Sequence, residues 1–204
     1  MSTPSSLRSI ILASNNPGKV REIQGLLAAY GIEVCPQAAF DIGEAEETAP
    51  TFVENAILKA RHASRQSGMA AIADDSGIEV DALNGAPGIR SARFAGPKAS
   101  DRENIDRLLE ALAGVPEPAR TARFRCVIVL LRHAEDPSPI IAEGAWEGRI
   151  AREPRGGRGF GYDPVFVPAG RECTAAELEP GEKNRLSHRG QALRLLAERI
   201  RSAL

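Results

Sequence analysis

Asp74 and Asp75 are adjacent, follow the apolar run Met69-Ala70-Ala71-Ile72-Ala73 and precede Ser76-Gly77. A short apolar run ending in acidic and small residues predicts a buried strand that emerges at a sheet edge, where α/β enzymes commonly keep reacting groups. Neighbouring carboxylates repel, so a fold tolerates them best where a cation, a lysine or a proton offsets the charge. The pair points to general-base or metal chemistry. The competing reading is a solvated turn, because Asp, Ser and Gly all favour turns.

Other segments bear on that choice. Ser14-Asn15-Asn16-Pro17-Gly18-Lys19 sets small polar residues and then a lysine where a strand meets a helix. Helix N-terminal N–H groups suit a phosphate, and Lys19 adds a full charge. The spacing is not that of a Walker A loop. Glu46 and Glu47 lie in an acidic stretch. Read with Asp75 they complete a magnesium site, since this ion takes one or two carboxylates and then phosphate oxygens and water; read alone they are solvated surface charges. In Gly156-Gly157-Arg158-Gly159-Phe160-Gly161-Tyr162-Asp163-Pro164 the glycines let backbone approach a flat ligand while an aromatic ring stacks on it. A nucleobase offers such a face; the alternative is a tight turn with Phe160 in the core. Glu179 to Arg189 gathers Lys183, Arg185, His188 and Arg189 around a helix start at Ser187. His188 shows no ligand spacing to His62 or His133, so a donor to a base edge, beside Arg189, suits it better than a metal.

The elements that must position these residues follow from periodicity. Strands are predicted at Leu7 to Ala13, Ile32 to Cys35, the run ending at Ala73, Gly77 to Ala82, Arg120 to Arg132, Ile140 to Ile150 and Val165 to Val167. The long pair around Asp136-Pro137-Ser138-Pro139 reads as an antiparallel hairpin in a mixed sheet. Helices are predicted from Gly18, from Thr51 with Glu54 as a capping box, from Ser100 with Glu103 as a second box, and from Ser187. Residues 36 to 50 show no convincing element. Without repeats or a clear linker, the chain reads as a single domain, 1–204, of two closely joined lobes.

The 204 residues are 43% hydrophobic and 26% charged, with a formal net charge of -1. That is an ordinary globular composition with no basic field to attract nucleic acid or a membrane. A polyanionic ligand would need a few placed cations and a metal. Cys35, Cys126 and Cys173 form no C-x-x-C pair, which fits a reducing compartment. Apolar runs such as Cys126 to Leu131 are too short to span a bilayer, and the opening MSTPSSLRS lacks a signal peptide's apolar core, so a cytoplasmic location is expected.

Together the segments resemble the inosine/xanthosine triphosphate pyrophosphatase family. The stretches that carry the likeness are SNNPGKVREI, EETAPTFVENAILKAR, IADDSGIEVDALNGAPGIRSARFAG, GFGYDPVF and EKNRLSHRGQAL, in the family's order from residue 14 to 193. The resemblance implies an α/β fold with an elongated mixed sheet, helices forming two lobes around a nucleotide cleft, and a homodimer. It also implies Mg²⁺-dependent hydrolysis of ITP, dITP and XTP to the monophosphate and pyrophosphate. By position, Asp75 becomes the general base and a metal contact, and Glu46 the second metal carboxylate. Ser14, Asn15, Asn16, Pro17, Gly18, Lys19 and Ser76 would hold phosphates, and Phe160, Gly161, Tyr162, Asp163, Lys183, His188 and Arg189 the nucleoside and phosphate. Ala49 departs from a frequent family glycine. A Maf-like pyrophosphatase of modified or pyrimidine nucleotides and a nucleotide sensor without turnover are the alternatives. SNNPGK and SHRG argue against the former, and the paired carboxylates against the latter.

Overall fold

A computed structural model describes residues 9–203, so the expected strand residues Leu7 and Arg8, like the rest of the opening stretch, lie outside the described residues. The strands are β1 (Ser9–Leu12), β2 (Glu33–Pro36), β3 (Ala71–Val80), β4 (Thr121–Leu131), β5 (Ile140–Ile150) and β6 (Phe166–Pro168). The helices are α1 (Pro17–Ala28), α2 (Phe52–Ser67), α3 (Asp101–Ala111), α4 (Pro180–Leu186) and α5 (His188–Ala203). The strands form one mixed sheet in the order β2-β1-β3-β4-β5-β6. By contacts the chain divides into two compact units. One takes the chain through Asp75, Cys126–Glu143 and Arg189 onward; the other takes Ser76–Arg125 and Gly144–His188.

In the first unit β1 pairs in parallel with β2 and with β3, with Leu12 opposite Ile72. Successive strand side chains point to opposite faces. Ile10, Leu12, Ile72 and Ile128 therefore pack with Ile23 and Leu27 of α1 and Leu193 and Leu196 of α5. Ile11, Ala71, Ala73 and Val127 pack on the other face with Ala56, Ala60 and Ala63 of α2. Strands covered on both faces read as unbroken apolar runs, which is why Ile10-Ile11-Leu12 is visible in the sequence. With β2 on one side of β1 and β3 on the other, strand order reverses there.

The second unit packs around Phe124, Phe166, Trp146 and Tyr162, joined by Ile78, Leu108 and Ile150. Phe166 meets Phe124 edge-on at 4.6 Å between ring centroids. Arg120 is wholly enclosed and donates to the carbonyls of Leu112, Ile150 and Ala151, tying the end of α3 to the end of β5. Ser100 and Glu103 close the expected capping box on α3.

Several sequence expectations need correction. Asp74-Asp75-Ser76-Gly77 is neither a turn nor a strand end at a sheet edge: β3 runs through it without a break, between β1 and β4. The alternation of side chains separates the two carboxylates, so the strand can continue. Residues 37–40 wind into a short 3₁₀ helix. The charged stretch before Ser187 is itself a helix, α4, with Pro180 in its first turn, where a missing N–H costs nothing.

Candidate active site

The loop from β1 into α1 is set by Asn16. Its Oδ1 accepts from the N–H groups of Gly18 and Lys19 at 2.9 and 3.1 Å, and its own N–H donates to Ser14 Oγ. The helix N-terminal donors expected to face a phosphate are thus partly capped from within. What the loop presents is the exposed Asn15 and the Lys19 ammonium, which lies 2.5 Å from Asp74 Oδ1.

Asp74 and Asp75 point to opposite sides of β3, and each side supplies its own cation. Asp74 shares a face with Ile72 and meets α1 and α5: Lys19 on Oδ1, with Arg189 Nε and the Cys126 thiol each donating to Oδ2 at 3.2 Å. Asp75 shares a face with Ala73 and meets α2, where Lys59 Nζ lies 2.7 Å from Oδ1. Burial would lift the Asp74 carboxyl, but Lys19, Arg189 and Lys59 outweigh it and hold Asp74 well below the usual carboxylate range. At Asp75 burial wins over Lys59 and Lys19, so its carboxyl is raised. The two adjacent carboxyls thus have their affinities for the proton pushed apart, Asp74 downward and Asp75 upward.

Lys59 also lies 2.9 Å from Glu47 Oε1. Burial would lower its pKa, but Asp75, Glu47 and Asp74 raise it instead, so the ammonium is kept. Asp75 Oδ2 is buried and has no hydrogen-bond partner among the described residues. Among those residues no three His, Cys, Asp or Glu side chains converge as a metal group. A buried carboxylate oxygen left open, with a second carboxylate drawn to the same ammonium, fits a hard cation that takes most ligands from water and phosphate. Glu46 is exposed and borders a cavity of about 560 Å³ with Leu58, Arg61 and His62. Glu47, its neighbour, is the one tied to Asp75 through Lys59.

The second unit assembles the expected nucleoside residues. Asp163 Oδ2 accepts from the Phe160 N–H at 2.9 Å and from Lys183 Nζ at 2.6 Å, and that ammonium stands 4.9 Å from the Phe160 ring centroid. Gly159, at φ 79°, is required: a Cβ there would run into the Asp163 carboxylate. Gly161 N–H donates to Asp101 Oδ2 at 2.7 Å. Tyr162 is buried, its hydroxyl donating to the Ser91 carbonyl, so it holds the loop rather than facing outward. His188 lies flat on Phe124 at 4.7 Å with 10° between the rings. Ser76, half-buried, follows Asp75 on β3. Arg189 belongs to the first unit and commits Nε to Asp74 and Nη1 to Glu22.

From residue type and spacing alone the roles of Asp74, Lys59 and Arg93 stay open, and Glu22 does not stand out. A signal for Lys59 exists: it falls within the buried stripe Ala56, Ala60, Ala63 of α2, where a lysine is out of place unless paired.

The profile of the Ham1 family matches residues 10–199. A protein of Methylococcus capsulatus named dITP/XTP pyrophosphatase is 62% identical over 96% of this chain and 97% of its own length. One of the same name from Thioalkalivibrio sulfidiphilus is 63% identical over 94% of this chain and 97% of its own. A solved structure of a HAM1 protein from Coxiella burnetii has a TM-score of 0.88 and 52% identity, covering 95% of this chain and 98% of that one.

Proposed function

The chain belongs to the Ham1 family, and from that premise we propose that it is a nucleoside triphosphate pyrophosphohydrolase of deaminated purine nucleotides: ITP, dITP and XTP. The products are the nucleoside monophosphate and pyrophosphate. The observation that supports the chemistry is Asp75, a buried carboxyl of raised proton affinity whose Oδ2 is left open while Oδ1 is held by Lys59.

In this reading the oxygen of a water bonds to the α-phosphorus and its proton goes to Asp75. The bond from that phosphorus to the bridging oxygen breaks, and pyrophosphate leaves with the electron pair. Lys19 and Lys183 supply positive charge to the phosphates, and such transfer depends mainly on positioning and charge neutralisation. Asp75 and a carboxylate of the acidic loop, Glu46 or Glu47, would hold Mg²⁺, which when bound neutralises phosphate charge and favours ionisation of water. Ser14, Asn15 and Ser76 serve the phosphates, and Phe160 stacks on the base.

A donor from Arg189, His188 or the backbone faces the 6-oxo group of the purine. Adenine would set its amino group against that donor, and a buried group left unpaired costs roughly 1–3 kcal/mol. The same reading includes a cytoplasmic homodimer that binds neither nucleic acid nor membrane. No described helix is long and apolar enough to cross a bilayer.

The test is pyrophosphate release from a panel of ITP, dITP, XTP, ATP, GTP, dUTP and methylated UTP, with and without Mg²⁺. Turnover of the deaminated purines well above the rest is expected. Preference for the pyrimidines, or binding without release, overturns the assignment.

A further inference from the structure

Asp74 takes no part in the proton transfer proposed above, yet its carboxylate is enclosed and set between two cations. Lys19 sits on Oδ1, and Arg189 and Cys126 share Oδ2. Arg189 passes the contact on, giving Nη1 to Glu22 Oε2 at 2.5 Å. Lys19 and Glu22 stand three residues apart on α1, Asp74 comes from β3, Cys126 from β4 and Arg189 from α5. Alternating charges thus run Lys19, Asp74, Arg189, Glu22 with no net excess. A flexible lysine that meets a phosphate must lose rotamer freedom on binding, and a fixed anion that orders it beforehand removes much of that loss.

We propose that Asp74 is a positioning residue that orients the Lys19 ammonium toward the triphosphate, with Arg189 and the Cys126 thiol fixing the carboxylate in turn. The inference rests on the reading of Ser14 to Lys19 as the phosphate contact. Asp74 therefore acts through Lys19, and its importance disappears when Lys19 is gone. A group that served only the fold, or that met the phosphate independently, would show no such dependence.

The experiment measures calorimetric affinity for inorganic tripolyphosphate, with thermal unfolding as a check on the fold, in Lys19→Met, Asp74→Asn and the double variant. Each single change is expected to weaken binding about tenfold, and the double variant to bind within about twofold of Lys19→Met. Losses that multiply in the double variant overturn the proposal alone. Unchanged affinity in Lys19→Met overturns the phosphate reading and the proposal with it. Should Asp74→Asn not fold, Cys126→Ala and Cys126→Ser decide. Alanine withdraws a donor from Oδ2 and is expected to weaken binding about threefold, and serine, which keeps one, to restore it. Equal behaviour of the two overturns the proposal.

Discussion

Lys59 Nζ lies 2.7 Å from Asp75 Oδ1 and 2.9 Å from Glu47 Oε1, so one ammonium draws together a carboxylate of β3 and one of the acidic loop. The relationship sets the pH behaviour. Burial raises the Asp75 carboxyl while Lys59 opposes the rise, and a proton acceptor must be ionised to act. Turnover should therefore be lost, as pH falls, earlier than an ordinary aspartate would dictate. Lys59→Met removes the opposing charge, and the acidic limb of the kcat/KM profile should move to higher pH. A limb that stays put, or moves lower, contradicts the pairing.

Asp75→Asn keeps the shape of the side chain and removes its ability to take a proton. Turnover should fall at least about a hundredfold, in line with typical acid–base contributions. Steady-state rates on dITP measure this, and near-normal kcat would take Asp75 out of the reaction.

The two acidic-loop carboxylates can be told apart by their Mg²⁺ dependence. Chelation should abolish turnover and added Mg²⁺ restore it. Whichever of Glu46→Gln and Glu47→Gln removes a metal ligand should raise the Mg²⁺ needed for half-maximal rate by about tenfold or more. Because Glu47 shares Lys59 with Asp75, Glu47→Gln should also shift the pH profile, and Glu46→Gln should not. Identical profiles for both variants would contradict the arrangement.

Gly159→Ala tests the nucleoside loop. A side chain at φ 79° costs roughly 1–2 kcal/mol and here also displaces the Asp163 carboxylate that holds Lys183 and the Phe160 N–H. KM for dITP should rise about tenfold, the equivalent of roughly 1.4 kcal/mol, with a smaller change in kcat. An unaltered KM would mean that this loop does not meet the substrate.

Asp136 offers a stability test away from the reaction. Arg132 grips both of its carboxylate oxygens, and the N–H groups of Arg132 and Ser138 add to the grip. Those bonds, above all from Arg132, outweigh burial and hold its carboxyl well below the usual range. A depressed carboxyl stabilises the fold above its unfolded pKa, near about 3.9, and that contribution is lost as pH falls. Asp136→Ala should lower unfolding stability by about 1–3 kcal/mol at neutral pH and by less in acid, read from urea denaturation. An equal cost at both pH values would point to packing alone.

How far the sequence goes can be judged residue by residue. The β1 and β4 strands, α1 behind Asn16, α2 behind Thr51 and α3 behind Ser100 are legible because cap and period involve neighbours within a few positions. The same holds for the loop around Phe160, where glycine and aromatic spacing is a local signature. Helix α4 was hidden, since Glu179 to Leu186 is short and strongly charged and carries no apolar stripe to reveal it.

By itself, then, the sequence determined most of the elements and the family likeness, both of which depend on residue type and short-range order. Only the tertiary structure decided which charge answers which. Lys59 reaches Asp75 across 16 positions and Arg189 reaches Asp74 across 115. The reason is the strand itself: one step along β3 turns a side chain from the α1 and α5 face to the α2 face. Two carboxylates that look alike on paper thus meet different cations, and one stays ionised while the other is raised toward protonation.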